Sequence, residues 1–342
     1  MLTLNLPQPI SMVKVVIYDD GIAIPHVARY WIFLISNICS LLCAVFVLYH
    51  YLFDSTLRHG LHNHTLTIVL IICLIWELTD VPFQMYLFLY RVVWIQTPTF
   101  CIIWKILDAA LYTSTAKLIG WASVERHILI FHENWITTRR RRFFIHYTPI
   151  ILIVTYGVVL YSIITPMNYC KRPFYYFVEM CGYYSCVYDS ATFTLYEYAT
   201  GGLLCSVLIG FGGGSLILRV VLQKRRLRRH VNWRKHRKMA IQLLSITALF
   251  YIFYLPPVVL STAHQLGVPS YVGSDYTRNA SFFANYIIFL FPFACLNTLP
   301  KLRIRLKNMY RYILRKQIRR ISPQKPTIMN STRRNQRKTT VF

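Results

Sequence analysis

Seven long apolar stretches divide this chain of 342 residues, and they constrain its fold more than any other feature. Each can cross the hydrocarbon core of a bilayer, which is about 30 Å thick and needs roughly 20 helical residues. The stretches are residues 30–52, 64–90, 101–127, 143–166, 191–218, 239–264 and 280–300. Polar, glycine-rich or basic sequences separate them, including TTRRRRF and VGSDYTRN. The pattern predicts an all-α membrane protein with a seven-transmembrane helix bundle.

The composition supports a membrane protein. Charged residues make up 15% of the chain, against roughly a quarter in soluble proteins, while hydrophobic residues make up 55%. These values argue against a soluble domain and against a disordered chain. The opening residues lack the charged start and the cleavage site of a signal peptide, so we expect the first stretch to act as its own insertion signal.

The excess of basic residues follows the expected topology. The chain has 38 Lys and Arg against 12 Asp and Glu, a formal charge of +26, which alone would suggest a nucleic-acid partner. With the N-terminus outside the cell, 30 basic residues fall in the inner segments and 6 in the outer ones, and the other two, Lys105 and Lys117, lie within the third stretch. That asymmetry is the positive-inside pattern. We therefore expect no nucleic-acid partner, and we expect the inner face to attract anionic membrane lipids.

The third stretch carries charges along one helix face. Asp108 and Arg126 are 18 residues apart, which is five helical turns, so they share a face about 27 Å apart. Charges at such depths face a bundle interior or a water-filled cavity, which makes both residues functional candidates. Cys101 opens the same stretch, 25 residues before Arg126.

These residues are similar to those of the rhodopsin-like (class A) G-protein-coupled receptors. In that family a cysteine heads the third helix and an acid-Arg-aromatic triplet ends it, and here the triplet is Glu125, Arg126 and His127. The segment GWASVERHILIFH also resembles a divergent group of invertebrate receptors of this class. The resemblance in layout covers nearly the whole chain.

The sixth and seventh stretches add to the resemblance. Phe250, Phe253, Tyr254 and Pro256 stand where the family has a Phe followed by a Cys-Trp-x-Pro element. Pro292 with Cys295 replaces the Asn-Pro-x-x-Tyr element of the seventh helix, with Phe291 in place of the Asn. The chain departs from the family in the second helix, where Cys73 falls at the sodium-site aspartate. This departure puts sodium modulation in doubt.

The resemblance implies a plasma-membrane receptor that converts an extracellular ligand into heterotrimeric G-protein activation, without catalysis and without a cofactor. Arrestin and a receptor kinase are further implied partners. The implied organisation is an extracellular N-terminus at 1–29, the bundle at 30–300, an amphipathic eighth helix at 301–314 and a basic, disordered cytoplasmic tail at 315–342.

The resemblance also implies a switch at the inner end of the bundle. In the family the neighbouring acid holds the Arg at rest, and the Arg is released when the sixth helix swings out. The inner end of the sixth stretch, RKHRKM, has no acid that could lock Arg126. We therefore expect a weakly held resting state and high basal activity. The implied switch residues are Glu125, Arg126, His127, Phe250, Pro256 and Pro292.

The ligand is expected between the outer halves of the helices and is a peptide or a small amine. Asp108 stands where aminergic receptors bind the ligand amine, but Lys105 lies three residues away and could neutralise it instead. Tyr112, Glu197 and Tyr254 are the other candidate ligand-binding residues. The aromatic content of the second outer loop favours a peptide over an amine.

A disulfide is implied between Cys101 and the second outer loop, which contains Cys170, Cys181 and Cys186. Spacing alone does not identify the partner. We favour Cys186, which is nearest the fifth stretch, over Cys181, and Cys170 could then pair with Cys181. Asn279 begins a glycosylation sequon on the outer face, and whether it is used is left open.

Other classes of protein are less consistent with the sequence. A transporter or channel is the main alternative, in which Lys105, Asp108 and Lys117 would mark a polar path, although no inverted repeat is detectable. A membrane-anchored scaffold would leave the spacing from Cys101 to Arg126 unexplained. His59, His62 and His64 have no cysteine or acid at ligand spacing, so we predict no metal site.

Overall fold

A computed structural model of the chain describes residues 22–131, 135, 138–167, 173–183, 185–226, 233–269, 271–296, 299 and 311. Residues 1–21 of the N-terminus, the predicted eighth helix at 301–314 and the tail at 315–342 lie outside the described residues, apart from Arg311. The chain divides into two units, Met1–Leu299 and Pro300–Phe342. The description below concerns the first unit.

Helices dominate this unit, and no strand occurs among its described residues. Three long helices come first: α1 is His26–Phe53, α2 is Leu61–Tyr90 and α3 is Pro98–Phe131. A single helical turn, Ser55–Arg58, links α1 to α2. The fourth helix, α4, is Arg139–Ile164.

The remaining helices are interrupted or bent. In α5, Ala191–Glu197 and Leu204–Arg226 are joined by a π-helical turn at Tyr198–Leu203. In α6, Trp233–Leu249 and Leu255–Gln265 are joined by a π-helical turn at Phe250–Tyr254. The last stretch, α7, consists of Ser274–Ala284 and Tyr286–Leu296, whose axes differ by 43°.

Two of the predicted separators turn out to be helical. Residues of the arginine block begin α4, and the Thr138 side chain caps them by accepting from the backbone N–H of Arg141 at 3.4 Å. The segment VGSDYTRN was predicted as a break, but α7 begins within it at Ser274. Gly273, with φ of 71°, turns the chain into that helix.

Several helices are suited to a membrane. Five of them, α1, α2, α4, α5 and α6, are long and apolar enough to cross one, and the bent α7 raises the number to six if it is a single span. α3 is not among them, because its sequence includes charged residues such as Lys105, Asp108 and Lys117. These helices indicate a multi-pass membrane protein, and the predicted number of seven spans stays a prediction.

The helices pack around a mainly apolar interior that also contains buried polar residues. α3 contacts α2, α4 and α5, while α1 contacts α2 and α7, and α6 contacts α5 and α7. Outward-facing apolar side chains are exposed, as with Leu42 at 71% and Phe211 at 75%. Buried polar residues lie between the helices, among them Asn37, Ser40, Thr65, Glu77, Asp80, Gln84, Glu125, Arg126, His146 and Gln242. The exposed apolar side chains and the polar groups buried between helices both suit an apolar solvent.

Candidate functional site

The two ends of the bundle are named after the topology that the sequence predicts: the outer end, at Cys101, and the inner end, at Arg126. At the outer end a disulfide joins Cys101 of α3 to Cys181, with the two Cα atoms 5.7 Å apart. The preference for Cys186 is therefore wrong, because Cys186 takes part in a different disulfide. The alternative pairing of Cys170 with Cys181 is excluded for the same reason, although Cys170 itself lies outside the described residues. The disulfide pins the second outer loop onto the head of α3.

Local backbone conformation brings Cys181 to this position. Met180, Cys181 and Gly182 have φ values of 49°, 58° and 58°, so the chain turns sharply at Glu179–Gly182. The carbonyl of Cys181 accepts from the backbone N–H of Tyr175 at 2.8 Å, which closes the turn. The sequence has no pattern that predicts three consecutive residues in the left-handed conformation, so the pairing of Cys101 with Cys181 could not be predicted from the sequence.

Asp108 lies one turn of α3 further into the bundle from Trp104 and is partly exposed. Its Oδ1 accepts from the indole N–H of Trp76 on α2 at 3.4 Å. Lys105 does not pair with it: the Lys105 ammonium donates instead to the Met180 sulfur at 3.4 Å. Lys105 therefore makes no hydrogen bond or ion pair with Asp108, although its positive charge still acts on the Asp108 carboxylate. One oxygen of that carboxylate makes no hydrogen bond among the described residues.

A second acid, which the sequence analysis did not select, lies close to Asp108. Asp80 on α2 is 1% exposed and accepts hydrogen bonds from Gln84 and from the indole N–H of Trp104. Two Trp donors thus serve two carboxylates between α2 and α3. Because Asp80 is fully engaged and sealed from solvent, it fits a structural role, whereas Asp108 remains accessible.

Three of the predicted ligand-site and switch residues line one small cavity. Tyr112, Phe250 and Tyr254 surround it, and the remaining lining residues are Thr115, Ala116, Ile287 and Ile288. The rings of Tyr112 and Tyr254 lie 5.8 Å apart between centroids, and those of Phe250 and Tyr254 lie 5.3 Å apart. The Tyr254 hydroxyl donates to the carbonyl of Gly201 at 2.9 Å, which joins α6 to α5.

Glu197 does not lie with the other candidate ligand residues. Its Oε1 accepts from the Tyr161 hydroxyl of α4, and its Oε2 is buried without a hydrogen-bond partner. Lys117 lies nearby, with its ammonium 4.5 Å from the centroid of the Tyr156 ring. Glu197 therefore belongs to a polar cluster between α3, α4 and α5 and does not line the cavity under Tyr254.

The inner end of the bundle holds Arg126, which is 1% exposed. Its Nη2 donates to the side-chain oxygen of Gln242 on α6 at 2.8 Å. Its Nε and Nη1 are buried and make no hydrogen bond. Sequence analysis excluded an acidic lock on α6 but missed this neutral acceptor, because a single Gln in an apolar helix carries no distinctive pattern.

Glu125 does not hold Arg126, in contrast to what the resemblance implies. Glu125 is 1% exposed, and its Oε2 accepts from the Thr65 hydroxyl at 2.6 Å. Its Oε1 contacts Nδ1 of the buried His146 on α4. The third member of the triplet, His127, lies with Nε2 2.5 Å from the Ser215 hydroxyl on α5.

The two switch prolines occupy different positions. Pro256 follows the π-helical turn Phe250–Tyr254, which accommodates a residue without a backbone N–H inside a helix. Pro292 is buried in the inner half of α7, beyond the bend at Asn285. The sixth stretch thus contains a widened turn shortly before Pro256.

In the described part of the chain, no group of three or more His, Cys, Asp or Glu side chains is arranged to hold a metal ion. No protein-family model and no curated protein sequence matches the chain. The assignment of a function therefore depends on the geometry of the two ends of the bundle.

Proposed function

We propose that this protein is a plasma-membrane receptor that converts binding of an extracellular peptide or amine into activation of a heterotrimeric G protein. In this proposal all of α1–α7 cross the bilayer, with the N-terminus outside. The G protein, arrestin and a receptor kinase bind on the inner side of the membrane, where the sequence also predicts the segments 301–314 and 315–342.

The contact between Arg126 and Gln242 is the observation that carries the proposal. It joins the inner ends of α3 and α6 through one hydrogen bond to a buried guanidinium that has two further N–H groups unused. A contact of this kind can exist in two states, because an outward movement of α6 would release the guanidinium toward the inner surface. Such a two-state element is what a ligand needs in order to shift a population.

The position of α3 supports a seventh crossing. α3 is 34 residues long and packs against α2, α4 and α5. A helix surrounded by other helices does not need an apolar surface all round, so its charged side chains do not oppose a membrane location.

The outer end supports a ligand site. The disulfide holds the second outer loop across the head of α3, and Asp108 stays partly exposed below it. A carboxylate in a poorly hydrated site gains strongly from a cationic group, which favours a ligand with an amine. The Tyr112–Tyr254 pair lies one helical turn further in and connects the ligand site to the widened turn of α6.

The transporter alternative requires Lys105, Asp108 and Lys117 to line one path. Lys105 reaches the Met180 sulfur in the outer loop, Asp108 faces Trp76 of α2, and Lys117 faces Tyr156 of α4. The three side chains point toward three different parts of the protein and do not line one continuous polar path, which favours a receptor over a transporter.

Nucleotide turnover by G proteins tests the proposal. The full chain is reconstituted in bilayers with a panel of heterotrimers, and ligand-independent turnover is compared for wild type, Arg126→Ala and Arg278→Ala. We expect turnover above the protein-free background for wild type and for Arg278→Ala, whose side chain makes an exposed ion pair at the outer end, and loss of turnover for Arg126→Ala. Equal signals for all three, or ion flux in the same vesicles, would contradict the receptor function.

A further inference from the structure

His64, His146 and Glu125 form one continuous hydrogen-bonded chain, here named the histidine array, at the inner end of α2, α3 and α4. His64 Nε2 lies 2.8 Å from the carbonyl oxygen of Arg58. His64 Nδ1 lies 3.3 Å from His146 Nε2. His146 Nδ1 in turn contacts Glu125 Oε1. The array therefore contains three successive contacts, each of which needs one proton.

The outer two contacts determine where the imidazole protons lie. A carbonyl oxygen only accepts hydrogen bonds, so His64 Nε2 must carry a proton. An ionised carboxylate also only accepts, so His146 Nδ1 must carry one as well. If both rings were neutral, His64 Nδ1 and His146 Nε2 would then point two lone pairs at each other across 3.3 Å.

Two neutral imidazoles bring two protons, and the three contacts need three. We propose that the histidine array is a proton-binding site, which holds one proton more than two neutral histidines and an ionised Glu125 would carry. We assign that proton to the contact between His64 Nδ1 and His146 Nε2, so the array with its proton is neutral and the array without it has a charge of −1.

Tyr147 does not remove the need for the extra proton. Its hydroxyl lies 3.4 Å from His64 Nδ1 and could donate to that atom. His146 Nε2 would still face it with a lone pair, because His146 Nδ1 remains committed to Glu125. Thr65 cannot help either, since it already donates to the other oxygen of Glu125 at 2.6 Å.

The surroundings of the array indicate what proton loss would change. Arg126 follows Glu125 directly and has two buried N–H groups without an acceptor. The other titratable or charged groups that face this region are Tyr147 of α4 and, around the guanidinium, Tyr51 of α1 and Cys295 of α7. When the proton leaves, the two ring nitrogens repel each other and the charge of Glu125 is no longer compensated. Glu125 is then attracted to the guanidinium of Arg126, where it would compete with Gln242.

The location allows exchange with the cytoplasmic side. His146 is fully buried, whereas His64 is partly exposed near the turn that links α1 to α2. A proton can therefore enter through His64 and be shared with His146. In the proposed receptor this would make the state of Arg126 depend on intracellular pH, a consequence that rests on the proposed function, whereas the proton site itself does not.

Nitrogen NMR of the full chain in bilayers, labelled with ¹⁵N-histidine, tests the proton site, because protonated and lone-pair ring nitrogens give separate signals. The variant His64→Leu removes one partner and leaves His146 bound to Glu125. We expect the number of lone-pair signals to be unchanged in the variant at pH 7, because the shared proton leaves one lone pair in the wild type and His146 Nε2 supplies one in the variant. The loss of one lone-pair signal would overturn the proposal, since two neutral rings in the wild type have two lone pairs and the variant keeps only one.

Three controls complete the test. Tyr147→Phe should leave the wild-type lone-pair signals unchanged, and a change there would assign the missing hydrogen bond to the phenol. A pH series on the unmodified protein needs no substitution: raising the pH should add one lone-pair signal that the same series on His64→Leu does not add, and the absence of that added signal would count against a shared proton. A metal is the alternative occupant of the contact between the two rings. If the purified protein contains one equivalent of zinc, and a chelator removes it and adds lone-pair signals, the proposed proton is replaced by a metal ion. None of these readouts involves a G protein, so failure here is distinguishable from failure of the receptor function.

Discussion

The guanidinium of Arg126 donates to the side-chain oxygen of Gln242 at 2.8 Å, so a neutral acceptor joins α3 to α6 at their inner ends. A hydrogen bond to a charged group contributes about 1.5–3 kcal/mol, which corresponds to roughly tenfold or more in an equilibrium. In the proposed receptor, this one contact would be large enough to set the balance between a resting and an active state of the bundle.

Replacement of Gln242 tests that role. Gln242→Leu should raise ligand-independent G-protein turnover about tenfold, because the guanidinium loses its only acceptor in the described structure. Gln242→Glu should lower turnover below wild type, because it adds an opposite charge beside Arg126. Ser245→Ala is the matched control, since Ser245 donates to a carbonyl of its own helix. If Gln242→Leu and Gln242→Glu change turnover in the same direction, the contact between Arg126 and Gln242 does not hold the resting state.

Removal of the Cys101–Cys181 disulfide should destabilise the outer end. The bond closes a loop of 80 residues, and loss of a native disulfide typically costs about 2–5 kcal/mol. Cys101→Ser, Cys181→Ser and the double variant should lower the unfolding temperature in detergent by similar amounts, because each removes the same bond.

The exposed thiol of Cys39 provides the control for that series. Cys39→Ser should leave the unfolding temperature unchanged. A double variant that is much less stable than either single one would mean that Cys101 and Cys181 act separately, against the observed pairing.

Asp108 and Asp80 should respond differently to the same isosteric change. Asp108→Asn should raise the ligand concentration for half-maximal response about tenfold or more with little change in unfolding temperature, since the partly exposed carboxylate loses its charge. Asp80→Asn should lower the unfolding temperature, because its new amide N–H group faces the Trp104 and Gln84 donors. Dose-response curves and thermal scans on both variants check this. A reversed pattern would transfer the ligand role to Asp80.

Two glycines of α5 offer a matched pair for helix packing. A Cβ at Gly210 would overlap the Tyr251 hydroxyl, which donates to the carbonyl of Ser206 at 3.1 Å and joins α6 to α5. Gly210→Ala should therefore destabilise the bundle by about 1–3 kcal/mol. Gly214 has open space around it, so Gly214→Ala should stabilise by about 0.5–1 kcal/mol. Thermal unfolding of both variants measures the difference, and equal shifts would refute the packing at Gly210.

The extents of the long helices were predictable because burial in a membrane demands continuous apolar sequence. The predicted stretch at 30–52 lies within His26–Phe53, and that at 64–90 matches Leu61–Tyr90 closely. The length of an apolar stretch does not show where a helix begins in the polar sequence beside it, however. Thr138 and Gly273 start helices inside segments that look like breaks, because one side-chain oxygen or one left-handed residue suffices to begin a helix.

The candidate site was predictable only where residues share a helix. Asp108, Tyr112 and Arg126 follow from the periodicity of α3, and Tyr112 indeed meets Tyr254 and Phe250. The partners that decide each role come from other helices: Trp76 for Asp108, Gln242 for Arg126 and His146 for Glu125. These contacts link residues 21 to 116 positions apart, and no local pattern encodes them.

The π-helical turns at Tyr198–Leu203 and Phe250–Tyr254 each act as a single-residue insertion in an otherwise regular helix. One extra residue rotates everything beyond it by about 100°, so a helical wheel drawn through Gln242 assigns the wrong face to residues after Tyr254. The two insertions lie opposite each other, since the Tyr254 hydroxyl donates to the carbonyl of Gly201. Deleting one residue from either turn should therefore put the outer and inner halves of α5 and α6 out of phase, although every remaining side chain is unchanged.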